Sequence, residues 1–135
     1  MKNFRDLQVW CKAHELTVAV YRRTAAFPRE ETFGLTRQIR RCSSSIGANI
    51  AEGCGRRGNG ELHRFFQIAA GPVSALENHL VLARDLEFLR SEEYDQFIAR
   101  VVELRKMLAG LIAKVDVERN AGYEIGKRTN VDAVP

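Results

Sequence analysis

From Tyr94 to Val115 every third or fourth side chain is large and apolar: Tyr94, Phe97, Val101, Leu104, Leu108, Leu111 and Val115. That spacing gathers all seven on one face of an α-helix, whereas a strand would scatter them over both faces. The same stepping runs through Leu62, Phe66, Ala69, Val73, Leu76, Leu80 and Ala83. A period near 3.5 belongs to helices packed almost parallel to one another. Two such helices cannot bury both stripes in water alone, so the rest of the chain must supply partners.

Two further helical stretches do so. In the first, Val9, Trp10, Ala13, Leu16, Val20 and Tyr21 form an arc that Leu7, Cys11 and Val18 widen. Only a thin polar strip remains, made of Gln8, Lys12, Glu15, Arg22 and Arg23. This arc is wider than one core face requires. In the second stretch, Ile39, Cys42, Ser43, Ile46, Ile50 and Gly53 share a narrow face. The opposite side carries Arg37, Arg40 and Arg41, then only the small residues Ser44, Gly47, Ala48 and Ala51. A solvated face ordinarily carries Lys, Glu or Gln. Small side chains instead let another backbone approach, so this helix is expected to pack on two sides.

Local signals place the boundaries. Asp6 is a candidate N-cap, and Phe27-Pro28 ends the first helix because the residue before proline avoids the α region. Thr36 is the expected cap of the second helix. Gly53, Gly55, Gly58 and Gly60 make a flexible connector holding Arg56 and Arg57, with Gly53 as a left-handed C-cap. Ser91, followed by Glu92 and Glu93, opens the fourth helix. Helices are thus predicted over 6–26, 36–53, 60–88 and 91–115. Pro72 lies inside the third and predicts a kink there. The fold class is all-α, an up-down-up-down four-helix bundle over residues 1–115. Residues 116–135 lose the apolar pattern and read as a polar, disordered tail.

A chain of 135 residues fits one domain. No run approaches the roughly 18 apolar residues of a membrane span, and the charged start does not resemble a signal peptide. A cytoplasmic protein without membrane contact is expected. Cys11, Cys42 and Cys54 are an odd number with no CxxC pair, which fits reduced thiols. No metal and no cofactor are expected. No catalytic residues are expected either, for the chain lacks GxSxG, HExxH and P-loop patterns. The one enzyme-like pattern is Arg57 followed by His63, the kind of pair some helical ribonucleases use. The preferred reading of His63 is a surface residue of the third helix.

The net charge is +4, and it is uneven. Residues 1–64 hold 12 Lys/Arg against 6 Asp/Glu, and the remainder is slightly acidic. A basic half of this kind points to a polyanion. Arginine forks match phosphate oxygens, so Arg37, Arg40, Arg41, Arg56 and Arg57 are the candidate nucleic-acid-binding residues. They bracket one helix, with the two groups roughly 25 Å apart at 1.5 Å per residue. The competing role is pairing with Glu30, Glu31 or Glu52. Trp10 reads as core or interface rather than as a base-stacking residue.

The second helix also carries a resemblance. Leu35-Thr36-Arg37-Gln38-Ile39-Arg40-Arg41 and Ser45-Ile46-Gly47-Ala48-Asn49-Ile50-Ala51-Glu52-Gly53 resemble the signature of a family of small four-helix bundle proteins. The family includes proteins encoded within intervening sequences of bacterial large-subunit ribosomal RNA genes, and accessory variability proteins of diversity-generating retroelements. The resemblance extends upstream to Phe4–Trp10 and Phe27-Pro28, and downstream through Phe65–Glu77. Pro72 departs from it, since the family usually has serine there. The resemblance implies a ring-like homopentamer, with some members binding nucleic acid and a partner reverse transcriptase. On that basis Ser44, Gly47, Ala48, Ala51 and Trp10 are the candidate oligomer interface. The expected function is a non-enzymatic nucleic-acid-binding or ribonucleoprotein-accessory bundle. The alternative is a structural protein-interaction scaffold.

Overall fold

A computed structural model describes the backbone of residues 3–132 and the side chains of residues 3–118. Four helices form: α1 (Gln8–Thr24), α2 (Leu35–Gly55), α3 (Asn59–Asp85) and α4 (Ser91–Asp132). No strand occurs among the described residues. Each helix packs on the next in chain order, and α1 closes the circuit against α4. The result is the four-helix bundle expected from the apolar spacing. All the stepping residues of α3 are buried, as are Val101, Leu104, Leu108 and Val115 of α4. Leu16 from α1 and Ile39, Ile46 and Ile50 from α2 complete the core.

The helix ends differ from prediction for identifiable reasons. Asp6 does not cap α1. Residues Phe4–Asp6 form a separate 3-10 turn whose cap is Asn3, with Asn3 Oδ1 accepting from Arg5 N at 3.0 Å. Helix α1 then starts at Gln8. Thr36 does not cap α2 either. The N-cap is Gly34, and Glu31 reaches forward so that Leu35 N donates to its Oε2 at 3.0 Å. A Cβ at Gly34 would stand 2.8 Å from that same oxygen and would push the carboxylate aside.

Gly53 is not a left-handed cap. It lies within α2, which continues to Gly55. A Cβ on it would meet Phe65 Cβ at 2.8 Å, so its role is to let α2 and α3 touch at backbone distance. The left-handed position belongs to Gly58, at φ 83°, which caps α3. Helix α3 runs unbroken through Pro72 and ends at Asp85, three residues before the expected end. Glu87 then takes φ 64° and Phe88 N donates back to Ala83 O at 2.9 Å, which turns the chain. In α4 the apolar pattern ends where predicted, at Val115, but the helix does not. The backbone stays helical to Asp132, across most of the expected tail. The end of that tail, and its side chains past residue 118, lie outside the described residues.

One polar clamp closes the bundle where α1, the α3–α4 turn and α4 meet. Arg23 Nε donates to Glu93 Oε2 at 2.5 Å, and its NH2 group donates to Glu93 Oε1 at 3.0 Å and to Phe88 O at 2.9 Å. Arg90 N donates to the same carboxylate at 3.1 Å. The hydrogen bonds from Arg23, opposed in part by burial, hold the Glu93 carboxyl down at about 2. A depressed carboxyl stabilises the fold above its unfolded pKa, near 4.5, and loses that contribution as pH falls toward about 2. Glu93→Gln should therefore cost about 2 kcal/mol at neutral pH. Urea denaturation should also show a flatter pH dependence for the variant across that acidic window.

Candidate nucleic-acid interface

Helix α2 carries the candidate site, and its neighbours decide which of its arginines are available. On the α1 side, Thr17 Oγ1 lies 2.8 Å from Ala13 O and 3.0 Å from Ser43 O, so one hydroxyl bridges the two helices. One turn earlier in α2, Arg40 Nε donates to Thr24 Oγ1 at 2.9 Å. Its NH2 group donates to Tyr21 O at 3.1 Å, and its guanidinium lies 4.8 Å from the centre of the Tyr21 ring. Tyr21 O belongs to the last turn of α1, where carbonyls lack helical partners. Arg40 is thus a capping residue for α1, one of the structural roles open to it.

Arg37 and Arg41 are different. Both are exposed, one turn apart, on the N-terminal half of α2. Neither side chain has an ion pair or hydrogen bond among the described residues. The acidic partners available in sequence are turned elsewhere: Glu31 caps α2 and Glu52 pairs with Arg56. The positive end of the helix dipole adds to the same field. Burial pushes the Cys42 thiol up, while the charge of Arg41 pulls it the other way. Cys42 is therefore a neutral, half-buried packing residue.

Arg37, Arg40 and Arg41 line an open groove of about 490 Å3 together with Tyr21, Thr32, Phe33, Thr36 and Ser44. No acidic residue lines it among the described residues. Sequence reasoning missed Phe33, which is 85% exposed. It falls in a loop, where periodicity carries no information. The signal available was a large aromatic between Thr32 and Gly34 with no apolar neighbour at helical spacing.

The other end of α2 is arranged less openly. Arg56 pairs with Glu52 at 2.9 Å and stands over the Phe65 ring at 5.4 Å, as Arg64 does at 5.0 Å. Arg57 is exposed without a described partner. His63 is not the surface residue expected. Its side chain is 13% exposed and Nε2 stands 2.9 Å from Asp116 Oδ1, across the α3–α4 seam. That contact lacks hydrogen-bond geometry.

Of the candidate interface residues, Trp10 and Gly47 meet within the chain. A Cβ on Gly47 would lie 3.4 Å from Trp10 Nε1. Trp10 also stacks on His14, with ring centres 4.8 Å apart, and meets the edge of Phe4 at 4.9 Å. Ser44 and Ala48 are exposed and Ala51 is half-buried, which leaves a strip of small side chains beyond the arginines. No three His, Cys, Asp or Glu side chains gather into a metal site among the described residues. No described helix is long and apolar enough to cross a membrane.

With this geometry in place, comparison with known proteins is informative. The sequence profile of the 23S rRNA-intervening sequence proteins matches residues 5–110. The chain belongs to that family. Its fold is also similar to a crystal structure from Bacteroides thetaiotaomicron VPI-5482, a protein of unknown function from the S23 ribosomal protein family. The two share 26% identity with a TM-score of 0.70, over 77% of this chain and 97% of the other. No curated protein matches the sequence. The matched region ends at residue 110, close to Val115, the last buried residue described, so it spans all four helices of the bundle.

The division among the arginines is testable by stability alone. Arg40→Ala should cost about 1 kcal/mol, since it removes the hydrogen bonds to the Tyr21 carbonyl and the Thr24 hydroxyl. Arg37→Ala and Arg41→Ala should each stay within about 0.5 kcal/mol of the parent. Thermal denaturation of the three variants checks the contrast.

Proposed function

We propose that this protein is a non-enzymatic nucleic-acid-binding bundle of ribonucleoprotein type, which grips phosphates through the N-terminal half of α2. The observation that carries the reading is the pair Arg37 and Arg41. They are exposed, without carboxylate partners, and set on a groove with no acidic lining. Two guanidiniums one turn apart suit successive oxygens of a phosphate backbone. Arg57, exposed in the connector after α2, is a further candidate phosphate contact. Membership in a family named for ribosomal RNA intervening sequences supports RNA as the polyanion.

A monomer of charge +4 is a weak electrostatic binder, and assembly would change that. A symmetric ring of copies, a pentamer in this reading, repeats the α2 arginines about one axis and sums their fields. The small side chains Ser44, Ala48 and Ala51 would let neighbouring copies approach α2 beside the arginines. Light scattering at micromolar concentration should then give a mass several times that of one chain, and Ala48→Glu should lower it. A stable wild-type monomer would remove the ring.

Binding itself is tested by titrating single-stranded RNA at increasing salt. The logarithm of the affinity should fall linearly with the logarithm of salt concentration. Arg37→Glu with Arg41→Glu should weaken binding across all sequences and flatten the slope by about 1.4, the loss of two phosphate contacts. The absence of wild-type binding at low salt would favour a protein-interaction scaffold instead.

A further inference from the structure

Phe33 stands in an unusual position for a phenylalanine. It is 85% exposed, on the rim of a groove whose other chemistry is arginine and hydroxyl. Its ring has no aromatic or cationic partner among the described residues, whereas Tyr21 across the groove is covered by Arg40. A ring this exposed is free to be covered by a ligand, and covering it removes apolar surface from water.

The turn that carries Phe33 is held on both sides. Thr32 Oγ1 donates to Arg29 O at 2.8 Å, and Gly34 N donates to Glu31 O at 3.0 Å. Glu31 in turn accepts from Leu35 N, which ties the turn to the first residue of α2. The ring is therefore presented by a stiff support, which lowers the entropy lost on binding.

The groove defines what its ligand must supply. Arg37 and Arg41 require anionic oxygens, while the Thr32 and Ser44 hydroxyls donate to the Arg29 and Arg41 carbonyls and are left as acceptors. The bare ring requires a flat apolar face. A volume of about 490 Å3 is within the size of small-ligand clefts. One chemical unit combines these features: a nucleotide with its base free of a helix. In a duplex the base faces are stacked on one another and closed to Phe33, although the phosphates remain reachable.

We propose that Phe33 is a stacking platform for an unpaired base, so that the groove selects single-stranded nucleic acid over duplex. The inference rests on the phosphate-binding role assigned to Arg37 and Arg41, and it adds a strand preference which that role alone does not give. Arginine contacts to phosphates bind both forms. Stacking on Phe33 is available only to the single strand.

The experiment compares a short single-stranded RNA with the blunt duplex of the same sequence, titrated against wild type, Phe33→Ala and Phe33→Leu. Phe33→Ala should weaken single-strand binding about tenfold and leave duplex binding unchanged. Phe33→Leu should behave like Phe33→Ala, since leucine keeps apolar bulk without a π face. A Phe33→Trp variant should bind as wild type does, and its fluorescence should be quenched by the single strand and not by the duplex. The proposal is overturned if Phe33→Ala binds single strands as well as the parent does, or if Phe33→Leu restores full affinity. It is also overturned if Phe33→Ala lowers the mass seen by light scattering, which would place the ring in a protein contact. In each of these cases salt-dependent wild-type binding leaves the phosphate-binding reading intact. If wild type binds neither RNA at low salt, both readings fail together.

Discussion

Helix α2 is held at backbone distance by the helices on either side, and the rest of the structure is arranged around that closeness. On one side Gly53 gives Phe65 of α3 the room a Cβ would fill. On the other, a single hydroxyl of Thr17 spans from α1 to the Ser43 carbonyl, and Trp10 lies over Gly47. Such contacts need small residues, and α2 supplies them at Ser43, Gly47 and Gly53. The same closeness lets Arg40 reach back to the end of α1, and it fixes the helix axis on which Arg37 and Arg41 are displayed.

The apolar register was legible because it follows from period alone. Every stepping residue of α3 named from the sequence is buried. Boundaries were less legible, because side chains that are not neighbours in sequence set them. Glu31 caps α2 from four residues upstream, where a search for Ser, Thr, Asp or Asn beside the helix finds Thr36 instead. Gly53 looks like a C-cap from its neighbours Cys54 and Gly55, but its purpose is set by Phe65, which no local pattern reveals. The end of α4 was misplaced for the opposite reason. Loss of the apolar stripe marks where the sequence pattern stops, and the backbone stays helical beyond it.

The candidate site was legible in kind and not in detail. Composition located the positive charge in the first half of the chain but treated five arginines alike. The fold separates them by what lies within reach. Arg40 meets a carbonyl and a hydroxyl, Arg56 meets Glu52 one turn away, and Arg37 and Arg41 meet solvent. Spacing on the helix does not determine that outcome, because the groups that satisfy Arg40 belong to α1. Phe33 was missed because loops have no period, and only the groove gives its exposure a meaning.

The separation also bears on how so modest a net charge can matter. Arg23 is clamped to Glu93, Lys12 faces Glu103 at 3.6 Å, and Arg64 pairs with Glu61 at 3.1 Å. Each pairing removes a positive charge from the far field, and the first two join α1 to α4. What remains unpaired on α2 therefore counts for more than the total suggests. Arg37 and Arg41 stand together at the positive end of a helix dipole, beside a groove without acids. Placing the same two charges on the C-terminal half of α2 would set them against the Glu52 carboxylate and the negative end of the dipole. The arginine that stands at that end, Arg56, has the Glu52 carboxylate to meet. Acidic residues of α4 thus meet cations of α1, while Arg37 and Arg41 face outward from the N-terminal half of α2 with no carboxylate partner among the described residues.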